Sequence, residues 1–120
     1  MTIALFSDIH ANLPAFKAML ADLDTRKPDA VYCTGDLIGY NIRPNEIIAE
    51  TRKRGIATLV GYHDLKTKGF AYELVTAENR TYLDTLPAYI PPISQRPANI
   101  KREKDLINAI IKTRFVIYTV

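Results

Sequence analysis

An α/β fold built on a parallel sheet is what this 120-residue sequence predicts, and three observations predict it. Short apolar, β-compatible runs alternate with stretches whose apolar residues recur at helical spacing. The connections between them are short, as expected of parallel strands joined by right-handed crossovers. Each of the first three apolar runs also ends in a polar string: Ser7-Asp8-Ile9-His10, Thr34-Gly35-Asp36 and Gly61-Tyr62-His63-Asp64. In an open parallel sheet the carboxyl ends of neighbouring strands lie side by side, so residues far apart in sequence converge there.

Residues 2–6 form the first strand and residues 8–12 a polar loop. Asn12 is suited to cap the helix that follows, with Pro14 tolerated in its first turn. Phe16, Met19, Leu20 and Leu23 give that helix one buried face, and Lys27-Pro28 ends it. The unit then repeats. Residues 30–33 are a second strand, residues 34–43 a loop containing Gly35 and Gly39, and Pro44 opens a helix carrying Ile47, Ile48 and Thr51 inward. Gly55 suits its C-terminal stop, and residues 56–60 make a third strand. Thr76 caps a further helix reaching about Leu86, with Glu78 in its first turn.

Pro87, Pro91, Pro92 and Pro97 then make residues 87–97 an extended linker. Beyond it, Ile100, Ile107, Ile110 and Ile111 share one side of a helix over residues 98–112, and residues 115–120 form a last strand. The chain thus divides into residues 1–90 and a differently organised tail, residues 91–120. An end as apolar as Phe115-Val116-Ile117-Tyr118-Thr119-Val120 is an aggregation hazard if left unpaired.

A chain of this length builds one core, burying roughly two-thirds of its unfolded surface. Its 48% apolar and 24% charged residues are those of a globular protein in water. The net charge of +3 is small, and the clusters at Arg52-Lys53-Arg54, Lys66 with Lys68, and Lys101-Arg102 with Lys104 read as solvated faces. A nucleic-acid partner is not expected. Cys33 is the single cysteine, which excludes an intramolecular disulfide and a thiolate metal cluster and points to buried packing. With no basic leader and no apolar run near ~18 residues, a cytoplasmic location without membrane contact is the expectation.

Asp8, His10 and Asp36 offer two carboxylates and an imidazole, a mixture that suits Mn, Fe or Zn better than Ca or Mg. Asp8 and His10 enter one loop from the first strand, Asp36 can bridge two ions, and His63 approaches from the third loop. An isolated Asp-x-His is more often an Asx-turn or a helix cap. Three such strings at successive strand ends weigh against that reading.

Asp8-Ile9-His10, Gly35-Asp36 and Gly61-Tyr62-His63-Asp64, in this order, resemble the first three sequence blocks of the calcineurin-like metallophosphoesterases. The flanking Ala11-Asn12-Leu13 and Leu37-Ile38-Gly39-Tyr40 are similar to the bacterial branch related to YfcE-type phosphodiesterases. The resemblance covers residues 1 to about 90. It implies that the parallel β-α-β-α-β sheet is the first half of an α/β/β/α sandwich and that the ancestral activity is hydrolysis of phosphate mono- or diesters. It further implies a two-metal site in which Asp8, His10 and Asp36 hold the first ion, Asp36 bridges to the second, and the two ions together clamp the ester and activate water. His63 corresponds to the histidine that contacts phosphate and protonates the leaving oxygen, and Asp64 would orient its imidazole.

The departures from that pattern matter equally. Tyr62 stands where the family places a metal-binding Asn, and its ring is expected to block or pack beside the second position. The chain has two histidines, His10 and His63, so the later His and the Gly-His-x-His block have no counterpart. The first ion loses a ligand and the second keeps only Asp36. One ion rather than two, weak or no activity, a truncated or frame-shifted ending, and a homo-oligomer covering the open sheet are the resulting expectations, with a phosphate ester or phosphate as ligand. The competing reading is a non-catalytic metal- or phosphate-binding interaction module, so whether the chain is an enzyme stays open at this point. A flavodoxin-like nucleotide-binding domain ranks below both, because neither a Gly-x-Gly-x-x-Gly turn nor a Walker lysine loop is present.

Overall fold

The computed structural model describes residues 1–89 and 102–119. Its elements follow in the order β1 (Thr2–Phe6), α1 (Leu13–Arg26), β2 (Ala30–Cys33), α2 (Pro44–Lys53), β3 (Ala57–Thr58), α3 (Phe70–Glu73), α4 (Ala77–Asp84), α5 (Glu103–Lys112) and β4 (Arg114–Tyr118). The strands form one four-stranded sheet in the order β3-β2-β1-β4, parallel throughout.

Local chemistry sets the helix ends where the sequence places them. The Asn12 side chain accepts from the Ala15 amide at 3.2 Å, and Lys27 closes α1 in a left-handed conformation. Pro44 sits in the first turn of α2, Gly55 follows its end at φ 63°, and Thr76 caps α4 by accepting from the Asn79 amide at 3.3 Å. The expected inward faces are buried: Phe16, Met19, Leu20 and Leu23 on α1, and Ile47, Ile48 and Thr51 on α2. They close over Ala4 and Phe6 of β1 and Cys33 of β2, with the Phe6 and Phe16 rings 6.0 Å apart.

Alternation along the strands assigns the other face. Ile3 and Leu5 are paired with Phe115 and Ile117 across the β1–β4 ladder, and Leu5 with Tyr32 across β1–β2. Phe115 and Ile117 are exposed there. Val116 and Tyr118 point the opposite way, and the Tyr118 hydroxyl donates to Asp22 of α1 at 2.8 Å.

Three details differ from the sequence expectations. The third strand spans two residues rather than five, because after Leu59 donates to Cys33 the next amide, Val60, turns away to donate to Pro87. A short helix, α3, lies between the third strand and the Thr76-capped helix, where the sequence pattern predicts no element. The last helix begins at Glu103, its Ile107 and Ile111 face solvent, and the strand it leads into covers the edge of β1. Pro91, Pro92, Pro97, Ile100 and Val120 lie outside the described residues.

Candidate metal site

The loops leaving β1 and β2 are joined by main-chain bonds: Asp8 donates to Gly35 at 3.0 Å, His10 to Asp36 at 3.0 Å and Ala11 to Leu37 at 2.8 Å. The loop after β3 presses on them so closely that a Cβ on Gly35 would lie 2.6 Å from the Gly61 nitrogen, and one on Gly61 would collide with Asp36. No side chain fits at either contact. Within these loops Asp8 (φ 59°), His10 (φ 48°), Ala11 (φ 60°) and Asp36 (φ 58°) adopt left-handed backbone. Such conformations cost about 1–3 kcal/mol each for a residue with a side chain, and persist only where surrounding bonds over-determine them.

Three of those four residues are the ones that converge. Asp8, His10 and Asp36 each bring one ligand atom within 4.8 Å of the others. The His10 ring has Nδ1 3.0 Å from the Ile38 carbonyl, and a carbonyl only accepts, so Nδ1 carries the proton. The Nε2 lone pair is thereby directed to the cluster, 3.3 Å from Asp8 Oδ1. A hydrogen bond from Ser7 holds the Asp8 carboxyl below its usual range against partial desolvation, with further help from its contacts to Asp36 and His10. Carboxylates this near one another are relieved by a proton or a cation. Two oxygen donors and one imidazole with its second nitrogen already engaged form a set that fits a divalent ion of the Mn, Fe or Zn type.

His63 lies in a 3-10 turn, His63–Leu65, at the mouth of the third loop. Its amide donates to Asp36 Oδ1 at 2.8 Å, so one carboxylate both joins the cluster and fixes the turn. The imidazole packs edge-on to His10, with centroids 4.7 Å apart, and its buried Nδ1 has no hydrogen-bond partner among the described residues. The expected Asp64 to His63 pairing is not formed. Asp64, 1% exposed, turns its carboxylate to four main-chain amides: Asp36 at 2.9 Å, Gly61 at 2.9 Å, Leu37 at 3.0 Å and Ile38 at 3.3 Å. Desolvation pushes its pKa up while the amide bonds oppose that shift. Its work is to staple the Asp36 loop to the His63 turn.

Two further residues belong to the site without having been singled out by chemistry in the sequence. The Tyr40 ring sits 4.9 Å from both the His10 and the His63 rings, while most of it remains exposed. Arg80 of α4 donates to the Asp64 carbonyl at 2.9 Å and stacks over Tyr72 at 4.6 Å, fastening the turn from behind. Tyr62 is 75% exposed and lies beside His63, with ring centroids 5.6 Å apart.

Two carboxylates and an imidazole gathered at adjacent strand ends of a parallel sheet make a candidate divalent-metal site in an α/β protein. Over residues 1–111 the sequence matches the calcineurin-like phosphoesterases, and the chain belongs to that family. It is 33% identical to an uncharacterized protein of Methanocaldococcus jannaschii, over 73% of this chain and 43% of the relative. It is similar to the crystal structure of a metallophosphoesterase from Sphaerobacter thermophilus, with 32% identity, a TM-score of 0.58, and coverage of 71% of this chain and 41% of that one. A structure provisionally described as a diadenosine tetraphosphatase shares the fold at 17% identity, with a TM-score of 0.60 over 86% of this chain and 60% of that one. The chain therefore spans less than half the length of the curated relative it matches. No helix among the described residues is long and apolar enough to cross a membrane.

Proposed function

We propose that this chain carries the first-metal portion of a phosphoesterase site, in which Asp8, His10 and Asp36 hold one divalent Mn, Fe or Zn ion and His63 serves a phosphate mono- or diester. The observation that carries this reading is the convergence of three ligands, each on left-handed backbone, with the His10 Nε2 lone pair aimed among them. Such an ion, when bound, supplies Lewis acidity toward a phosphoryl oxygen and lowers the pKa of water.

The protein's own groups do the rest. The Ile38 carbonyl sets the His10 tautomer, and Asp36 couples the ligand cluster to the His63 turn through the His63 amide. With Nδ1 buried, Nε2 of His63 is the nitrogen left to face an ester and give its proton to the departing oxygen. The single three-ligand group among the described residues supports one ion rather than two and slow turnover. The flanking Gly39-Tyr40 supports a phosphodiesterase of the YfcE-type branch, and the single buried Cys33 a reducing cytoplasm.

Calorimetric titration with Mn is expected to give one equivalent, abolished in Asp36→Ala. Hydrolysis of bis-p-nitrophenyl phosphate is expected to vanish in His63→Ala while Mn binding stays. Two tight ions, or binding indifferent to Asp36→Ala, would overturn the assignment. Binding with no hydrolysis above the His63→Ala level at any Mn concentration would leave the non-catalytic module.

A further inference from the structure

Beside His63 the surface opens into a cavity of about 220 Å³ lined by Gly39, Tyr40, His63, Lys66, Lys68 and Phe70. Next to it a depression of about 430 Å³ is lined by Tyr62, Leu65, Lys66, Thr67 and Lys68, so the two lysines border both. The rim is unusual in what it leaves uncovered. Tyr40 and Tyr62 are each 75% exposed and Phe70 is 55% exposed. The two tyrosine rings adjoin a lysine or an imidazole: Tyr40 packs on His63 at 4.9 Å, and Lys66 Nζ sits 5.7 Å from the Tyr62 ring centroid. A cation over an exposed ring is weakly held, so Lys66 is available to a stronger anion.

We infer that this cleft is a recognition subsite for a nucleoside diphosphate group, taking a second, non-reacting phosphate on Lys66 and Lys68 and stacking the base on the open face of Tyr40. The inference rests on the reading of Asp8, His10, Asp36 and His63 as the phosphoryl site, because it places the two lysines one step along the substrate from His63. The chemistry is specific. Two ammonium groups in a lining that includes no Asp or Glu among the described residues select an additional anion, and exposed aromatic rings select a flat ring, since stacking tolerates any base. A cavity of this size beside one lysine pair fits a single nucleotide better than a strand, whose backbone needs a continuous basic groove.

The test is equilibrium binding by calorimetry, in EDTA and again with Mn, using ADP, inorganic pyrophosphate and adenosine as separate probes. Lys66, Lys68 and Tyr40 have exposed or partly exposed side chains, and circular dichroism checks that each variant folds. ADP is expected to bind at least ~10-fold more tightly than either fragment in EDTA. Lys66→Ala with Lys68→Ala should weaken ADP and pyrophosphate by about 10-fold and leave adenosine unchanged. Tyr40→Ala should do the reverse, weakening ADP and adenosine while sparing pyrophosphate, and Tyr40→Phe should restore both. ADP no tighter than pyrophosphate, ADP indifferent to the lysine pair, or an octathymidylate that outcompetes ADP would each overturn the subsite. Failure of the metal reading is separate: it shows as Mn titrations indifferent to Asp36→Ala, whatever ADP does in EDTA.

Discussion

The loops at the carboxyl ends of β1 and β2 and the strand β4 belong to the same sheet, yet they are held in opposite ways. The loops carry left-handed residues and a dense set of main-chain and carboxylate bonds, and they bury Ile9, Leu37 and Ile38 in the core beneath them. β4 has regular backbone and a full parallel ladder to β1, but two of its large apolar side chains stand in solvent. Hydrogen bonding and the buried Ile9, Leu37 and Ile38 fix the first region together, and they hold its left-handed residues in place. The second region has secondary structure without a finished core. The difference separates loops whose polar groups are satisfied within the chain from a strand whose apolar side chains are not covered among the described residues.

Removing the staple should break the comparison most severely. Asp64→Ala leaves four amides from two loops without their acceptor. Buried donors left unpaired cost about 1–3 kcal/mol each, and partial relaxation brings the expected loss to roughly 3–5 kcal/mol. At about 5 °C per kcal/mol for a domain near this size, the melting temperature should fall by about 15–25 °C. Mn affinity should fall with it, because Asp36 loses its backbone anchor. A variant that melts within a few degrees of the parent would show that the site loops are held by something other than this carboxylate.

Much of this was legible beforehand, and the exceptions share a cause. Asn12, Pro44, Gly55 and Thr76 mark helix ends because capping is decided within a few residues. Asp8, His10 and Asp36 were legible because strand ends of a parallel sheet must meet. Asp64 was assigned to the neighbouring His63, whereas three of its four amide partners lie 26–28 residues away, at separations no local pattern encodes. Tyr40 escaped for the same reason: its place between two imidazoles depends on the approach of separate loops. The length of β3 turned on a contact with Pro87, again a tertiary event.

Alkaline pH offers a second, smaller separation. Burial among the core side chains pushes the Cys33 thiol from 9.0 up to about 12. A folded-state pKa above the unfolded value means the stabilisation is complete below pH 9 and is lost as pH rises toward 12, since the unfolded thiol ionises first. Tyr82 and Tyr118 are shifted upward as well, so the comparison needs a reference. Between pH 8 and pH 10 the unfolding free energy from denaturant titration should fall further in the parent than in Cys33→Ala, by about 1 kcal/mol. The same burial predicts that a thiol reagent at pH 8 labels Cys33 only after unfolding. Rapid native labelling would place the sheet end of β2 in a far looser state than its neighbours.

The smallest effect is expected at β4, and it decides what that strand is for. Phe115 and Ile117 are 53% and 66% exposed on the face opposite α1, beside Ile3 and Leu5. Exposed side chains contribute little to the stability of an isolated chain, so Phe115→Thr with Ile117→Thr, which puts a strand-favouring residue at both positions, should change the free energy of unfolding by no more than about 0.5 kcal/mol in dilute solution. If a second copy covers this face, as the sequence led us to expect, the parent's melting temperature will rise with protein concentration and its sedimentation mass will exceed that of the variant. A monomeric parent with unchanged stability would instead leave β4 as an edge strand whose solvent-facing side chains bury nothing. A large loss of stability at low concentration would mean that the sheet's second face is packed within the chain itself, and the contrast between the two regions would disappear.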